Sequence, residues 1–140
     1  MLSTRIACAQ AGSGASSSAL GNYSTANGFL SGAYGDHSTA IGSYNTVVGN
    51  NSGAFGTQNQ VIGNGSYTVG DPNLIIGNNS FAFGNNNTIN GPNTAGNGDN
   101  IQVVGSNNAI GSTASAAGSS VMGSSSTVNA TNAVAIGNSV

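Results

Sequence analysis

Glycine recurs at every seventh position through most of this chain. From Gly14 to Gly105 there are fourteen such glycines without an interruption. With 23 glycines in 140 residues, chance would give this run in a given frame about once in 10^11 trials, and a fixed period of this kind marks a repeat architecture. We predict that the glycines of this series have a structural role: Gly21, Gly28, Gly35, Gly42, Gly49, Gly56, Gly63, Gly70, Gly77, Gly84, Gly91, Gly98 and Gly105.

The residues around each glycine predict a short strand followed by a tight corner. The place four before the glycine is Ser or Asn in all eleven heptads from Ser17 to Asn87. The place two before it is nearly always small or β-branched, and the place immediately before it is usually large and apolar. These preferences are typical of strands. The two residues after the glycine are rich in Asn, Asp, Gly and Pro, which favour turns.

Alternate heptads differ, so the structural repeat is fourteen residues long. One series of strands begins at Ser38, Ser52, Ser66 and Ser80, and the other at Asn45, Asn59, Asn73 and Asn87. Each repeat is then one coil of two strands, and the coils stack by parallel pairing into two facing sheets of an all-β roll. A heptad coiled coil is excluded, because each glycine costs a helix about 1 kcal/mol.

Alternation along a strand decides which side chains face the interior of the roll. Packed sheets lie about 10 Å apart and need bulky residues between them. We therefore expect the large residues before each glycine to fill the interior: Ile41, Val48, Phe55, Ile62, Val69, Ile76 and Phe83. The apolar residues two places before the glycine on the Asn series would then form an outer stripe: Val47, Val61, Ile75 and Ile89. Such a stripe usually marks an interface, so we expect an oligomer joined there.

The regular pattern sets the expected boundaries of the roll. Residues 1–13 lack the repeat and are predicted to form a flank, and residues 14–140 to form the roll. The heptads are regular over 14–105, and we interpret 106–140 as the same repeat with shortened corners. No segment resembles a secretory signal or a membrane-spanning helix. We expect any targeting and anchoring parts to be missing from this sequence, and no membrane insertion by this part.

The composition argues against several classes of function. The chain contains one Arg and three Asp, so there is no basic surface for nucleic acid and no acidic cluster for calcium. Cys8 stands alone, and His37 beside Asp36 in a corner is best interpreted as a solvated turn residue. We expect no enzyme, no catalytic or metal-binding residues and no cofactor.

Several strands resemble the head-domain repeat of trimeric autotransporter adhesins of Gram-negative bacteria, the YadA-like heads. The segments that carry the resemblance are Ser38-Thr39-Ala40-Ile41-Gly42, Ser52-Gly53-Ala54-Phe55-Gly56 and Ala133-Val134-Ala135-Ile136-Gly137. The family repeats a Ser-Val-Ala-Ile-Gly theme over the same period, and the resemblance covers about residues 14–140.

This resemblance implies a left-handed parallel β-roll, with three chains packed side by side as a homotrimer on the bacterial surface. Heads of this family bind extracellular matrix proteins or host-cell receptors, or promote autoagglutination and biofilm. The resemblance also implies anchoring in the outer membrane by other parts of the protein. No ligand-binding residue of the family maps onto this sequence.

Two other functions are compatible with a repeat of this kind. One is a structural fibre segment, such as a phage or appendage spacer, that binds nothing. The other is an ice-binding solenoid, which needs a flat ladder of threonines. The place three before the glycine reads Thr39, Gly53, Tyr67 and Phe81 along one sheet and does not form that ladder.

Overall fold

A computed structural model describes residues 16–91 and 93–140 of the chain. These residues form sixteen strands and no helix, so no helix in this part is long and apolar enough to cross a membrane. The predicted flank 1–13 and Cys8 lie outside the described residues. In chain order the strands are β1 (Ser18–Ala19), β2 (Thr25–Asn27), β3 (Gly32–Ala33), β4 (Thr39–Ser43), β5 (Thr46–Val47), β6 (Gly53–Thr57), β7 (Gln60–Ile62), β8 (Tyr67–Gly70), β9 (Asn73–Ile76), β10 (Phe81–Phe83), β11 (Asn87–Ile89), β12 (Gln102–Val104), β13 (Ala109–Ile110), β14 (Ser120–Met122), β15 (Thr127–Val128) and β16 (Val134–Ile136).

The strands alternate between two parallel sheets of eight strands each. We call the sheet of β1, β3 and the other odd-numbered strands the odd sheet, and its counterpart the even sheet. In the even sheet Phe55 pairs with Ile41 before it and Val69 after it. In the odd sheet Val61 pairs in the same way with Val47 and Ile75. The prediction of an all-β parallel solenoid with two strands in each fourteen-residue coil is confirmed.

The interior of the roll is lined by the residues two places before each glycine. The even sheet contributes Ala26, Ala40, Ala54 and Ala82, and the odd sheet contributes Val47, Val61, Ile75 and Ile89, all 0% exposed. These last four residues are core, so their assignment to an outer stripe and an interface was wrong.

The residues predicted to fill the roll lie on its outer faces. Ile41, Val48 and Phe83 are exposed, and Phe55, Ile62, Val69 and Ile76 are half-buried. The cause is the width of the roll. Each regular corner consists of the glycine and two further residues. A corner of this length is too short to separate two sheets that both carry large side chains on their inner faces. An alanine on the even sheet facing a valine or isoleucine on the odd sheet fills the narrow space.

Two coils are longer than the others. Residues 90–119 therefore do not follow the expected pattern of regular heptads and shortened corners. The backbone N of Ile101 donates to Ser80 across a step of 21 residues, and that of Ser126 donates to Asn108 across 18. The additional residues lie in segments 90–101 and 111–119, which follow β11 and β13 of the odd sheet. The second of these corners is lengthened, not shortened. We call residues 91–97 the insert, of which the structure describes 91 and 93–97.

Candidate functional site

The predicted structural glycines lie where neighbouring coils meet at the corners. A Cβ atom on Gly49 would overlap the carbonyl oxygen of Gly63, and one on Gly63 would overlap that of Gly77. Gly77 stacks in turn on Gly98, not on Gly91, whose Cβ would meet only a methyl group of Thr88. The structural role predicted for Gly91 was therefore wrong, because the insert carries this glycine out of the coil.

A ladder of buried asparagines runs along the inside of the roll. Asn59 donates from its Nδ2 to Oδ1 of Asn45 at 3.0 Å and to the carbonyl oxygen of Gly70 at 2.7 Å. The same pattern continues through Asn73, Asn87 and Asn108. Buried backbone and amide groups need partners, and the ladder supplies them in each coil it passes.

A second ladder follows one exposed corner. The backbone N of Asp36 donates to Oδ1 of Asn50 at 2.8 Å, and that of Asn50 donates to Oδ1 of Asn64 at 2.9 Å. Sequence reasoning treated the corner residues only as turn formers and the Ser/Asn places only as strand starts. The signal for the interior ladder was there, since the place four before the glycine is restricted to Ser or Asn while the place three before it varies freely.

The outer face of the even sheet carries a continuous apolar stripe. Its members lie immediately before the corner glycines, and we call them the even stripe: Ile41, Phe55, Val69, Phe83, Val104, Met122 and Ile136. Phe83, Met122 and Ile136 are 52, 59 and 71% exposed. Near its C-terminal end a groove of about 280 Å³ is lined mostly by apolar side chains, including Val104, Met122, Val134 and Ile136.

The outer face of the odd sheet carries a shorter apolar stripe. We call it the odd stripe, and it contains Leu20, Tyr34, Val48, Ile62 and Ile76. At the next coil the same column is occupied by Asn90, where the insert begins. The stripe therefore ends at the insert.

The side chain of Asn90 fixes the start of the insert. Asn90 is buried, and its Nδ2 donates to the carbonyl oxygens of Ile76 at 3.1 Å and Thr94 at 2.7 Å, while its Oδ1 accepts from the backbone N of Thr94 at 3.1 Å. The insert also touches the second long corner, because the backbone N of Ala116 donates to the carbonyl oxygen of Asn97 at 3.2 Å. These bonds hold the insert against the roll.

An open cleft of about 230 Å³ lies between the insert and the odd sheet. Ile62 and Ile76 belong to the sheet side of the cleft, and Asn93 and Thr94 to the insert. Asn78 and Asp99 also line it, and they are joined because Asn78 donates to Oδ1 of Asp99 from its backbone N at 2.7 Å and from Nδ2 at 3.3 Å. The cleft could not be predicted from the sequence, because an insert of seven residues leaves the glycine period unchanged.

His37 lies in an exposed corner, as its position between a glycine and a strand predicted. Its ring stacks on that of Tyr23 with centroids 5.1 Å apart. The neighbouring carboxylate of Asp36 accepts from the backbone N of Asn22 at 2.7 Å. In residues 16–91 and 93–140 no three His, Cys, Asp or Glu side chains converge on a position that could hold a metal ion.

The comparisons with known proteins fit this geometry. The family described as the YadA head domain repeat matches residues 19–45, 33–59 and 114–139. The chain carries YadA head domain repeats. The matched segments lie at both ends of the described roll, and the insert lies between them. A search of curated proteins finds no match to the chain. The YadA head domain is a structural domain of adhesins and not an enzyme family.

Proposed function

We propose that this chain is the ligand-binding part of a trimeric autotransporter adhesin, with the even stripe buried between three copies. The observation that carries the proposal is the coincidence of YadA head repeats with a solvent-facing apolar stripe that spans seven coils. Three chains side by side around an axis parallel to the roll would cover that stripe along its whole length.

The even stripe suits an interface better than the odd stripe does. Soluble monomers rarely expose a long contiguous apolar surface. The even stripe is apolar from Ile41 to Ile136, whereas the odd stripe gives way to Asn90 at the insert. The even sheet is therefore the face that we assign to the trimer axis, and it replaces Val47, Val61, Ile75 and Ile89 as the interface.

The proposed role of the trimer is attachment to extracellular matrix proteins or host-cell surfaces, or to other bacteria in autoagglutination and biofilm. In the full-length protein the head would stand on the cell surface, anchored in the outer membrane by other parts. A surface densely covered with trimers binds through many weak contacts at once, so the affinity of one site need not be high.

A non-binding spacer remains the second candidate, since a uniform solenoid separates other parts without contacting anything. The insert favours a binding role over a spacer role. A spacer needs only regular coils, whereas the insert adds a loop fixed by the three hydrogen bonds of Asn90. Ordered loops on a regular scaffold commonly carry function.

The proposal is tested by surface plasmon resonance with the purified chain over immobilised collagen, fibronectin and laminin. We expect saturable binding to at least one of the three. The matched variant carries Phe55→Asp and Phe83→Asp. These changes should separate the trimer and weaken binding by about a hundredfold through lost avidity, which is the lower end of the gain from linked sites. Absence of binding to all three proteins and to cultured host cells would support the spacer.

A further inference from the structure

We propose that the cleft beside the insert binds a neutral saccharide unit. This inference rests on the adhesive function proposed above, for which it names the class of ligand. One side of the cleft is formed by residues that leave the repeat. Its volume of about 230 Å³ is below the range of roughly 300–1,000 Å³ that is typical of drug-sized ligands. A site of this size suits one sugar ring better than an extended peptide.

The chemistry of the lining favours a neutral, hydroxyl-rich ligand. Asn93 and Thr94 supply an amide and a hydroxyl, which both donate and accept hydrogen bonds. Asp99 uses Oδ1 as the acceptor for both bonds from Asn78, so Oδ2 is the natural acceptor for a sugar hydroxyl. A sugar ring presents hydroxyls at its edge and C–H groups on its face, and Ile62 and Ile76 provide the apolar surface for that face.

The charge of the roll argues against anionic ligands. Arg5 is the only basic residue besides His37, and it lies outside the described part, so residues 16–91 and 93–140 contain no Lys or Arg. Among the described residues, a sulfated or carboxylated sugar would find no guanidinium or ammonium partner at the cleft. It would instead meet the carboxylate of Asp99, which repels it.

The insert offers a deletion that separates the cleft from the fold. Removing residues 91–97 joins Asn90 to Gly98 and restores a coil of regular length, since Gly77 already stacks on Gly98. The variant keeps the strands, the asparagine ladder and both stripes, but it loses the insert side of the cleft. A circular dichroism spectrum and a thermal melt check that it folds.

The experiment is saturation-transfer difference NMR with lactose, N-acetyllactosamine and mannotriose as probes, and a heparin-derived hexasaccharide as the anionic comparison. We expect saturation transfer to at least one neutral probe, with a dissociation constant in the millimolar range, and none to the heparin fragment. The deletion of 91–97 should abolish the signal. Asn93→Ala should weaken binding roughly fivefold, as expected for one lost hydrogen bond.

The control is Asn51→Ala, because Asn51 is also exposed in a corner with positive φ, 51° against 58° for Asn93, and does not line the cleft. It should bind like the parent. Absence of transfer to all three neutral probes, transfer that survives the deletion, or stronger binding of the heparin fragment would each overturn the proposal. Because the assay uses free sugars, failure on matrix proteins with retained sugar binding would count against the proposed function alone.

Discussion

Oδ1 of Asn45 accepts hydrogen bonds from both the backbone N and the side-chain Nδ2 of Asn59, each at 3.0 Å. The donor and the acceptor residues lie fourteen positions apart, in neighbouring coils of the odd sheet. Both side chains are at most 1% exposed. This contact, repeated from coil to coil, joins the buried polar groups of the roll into one row.

Replacing Asn59 with alanine should destabilise the roll by about 3 kcal/mol. The substitution leaves the carbonyl oxygen of Gly70 and the backbone N of Asn73 without the partners that Asn59 provides. Each buried group left unpaired costs about 1–3 kcal/mol. The free energy of unfolding is measured by urea titration at fixed protein concentration.

The control for that experiment is Asn64→Ala. Asn64 also accepts a bond from the preceding coil, at 2.9 Å from the backbone N of Asn50, but it is exposed. Water replaces this bond, so the expected loss is about 1 kcal/mol or less. Equal losses in the free energy of unfolding for the two variants would show that the buried asparagines do not stabilise the roll more than the exposed ones.

Gly63→Ala should be far more destabilising than Gly65→Ala. Gly63 has a φ of 143°, and a Cβ there would overlap the backbone of Gly77. Gly65 has a φ of 66°, and a Cβ there would come closest to the end of the side chain of Asn79, which is exposed. We expect roughly 3 kcal/mol or more for the first and about 1–2 kcal/mol for the second. Thermal melts of both variants check the order, and its reversal would contradict the stacking.

Thr68→Val should stabilise the protein. Thr68 is 0% exposed on the inner face of the even sheet, and its Oγ1 has no hydrogen-bond partner in the described part of the chain. Valine keeps the shape and removes the unsatisfied hydroxyl, so we expect a gain of about 1 kcal/mol in the free energy of unfolding. Thr46→Val, on the outer face, should change it little, and a loss at Thr68 would show that the hydroxyl has a partner in solution.

Deleting residues 91–97 should lower the free energy of unfolding by no more than about 3 kcal/mol. Shortening a surface loop has a small effect on chain entropy, and the main loss is that of the bonds from the insert to Asn90 and Ala116. The matched control removes seven residues that form a strand, 71–77. This second deletion takes Ile75 out of the core and breaks the asparagine ladder at Asn73, so it should unfold the roll or lower its melting temperature strongly. Similar melting temperatures for both deletion variants would contradict the conclusion that residues 91–97 lie outside the regular coils.

The repeat itself could be predicted from the sequence with few errors. The glycine period, the division into fourteen-residue coils and the parallel pairing all follow from local patterns, since each coil contacts only its neighbours. Ile41, Phe55, Val69 and Phe83 also stack in register as the pattern predicted. They stack on the outside of the roll instead of the inside.

The prediction of the inner face was wrong because it relied on the size of the side chains and not on how little the residue type varies from coil to coil. Large side chains were placed inside, and the Ser/Asn places were not recognised as interior. The restricted places, four and two before the glycine, are the buried ones, and side chains at the variable place, such as Tyr67 and Phe81, face outward. In a narrow roll the interior admits few residue types, whereas the surface admits many.

The insert could not be placed from the glycine period, because its length matches the period. A weaker signal was present in the neighbouring places. Thr94 and Ile101 stand where the pattern requires Ser or Asn, and Asn97 stands where it requires a large apolar residue. Three departures within two heptads mark residues 91–97 as different from the coils around them.

Sedimentation equilibrium tests the proposed trimer and its interface most directly. The parent chain, of 13.5 kDa, should sediment with the mass of three copies. The double variant Phe55→Asp and Phe83→Asp should sediment as a folded monomer, because carboxylates in an apolar contact cost several kcal/mol each unless the chains separate. A single Val61→Asp substitution should instead unfold the roll, since Val61 is in the core. A parent that remains a folded monomer at high concentration would contradict the assignment of the even stripe to the interface.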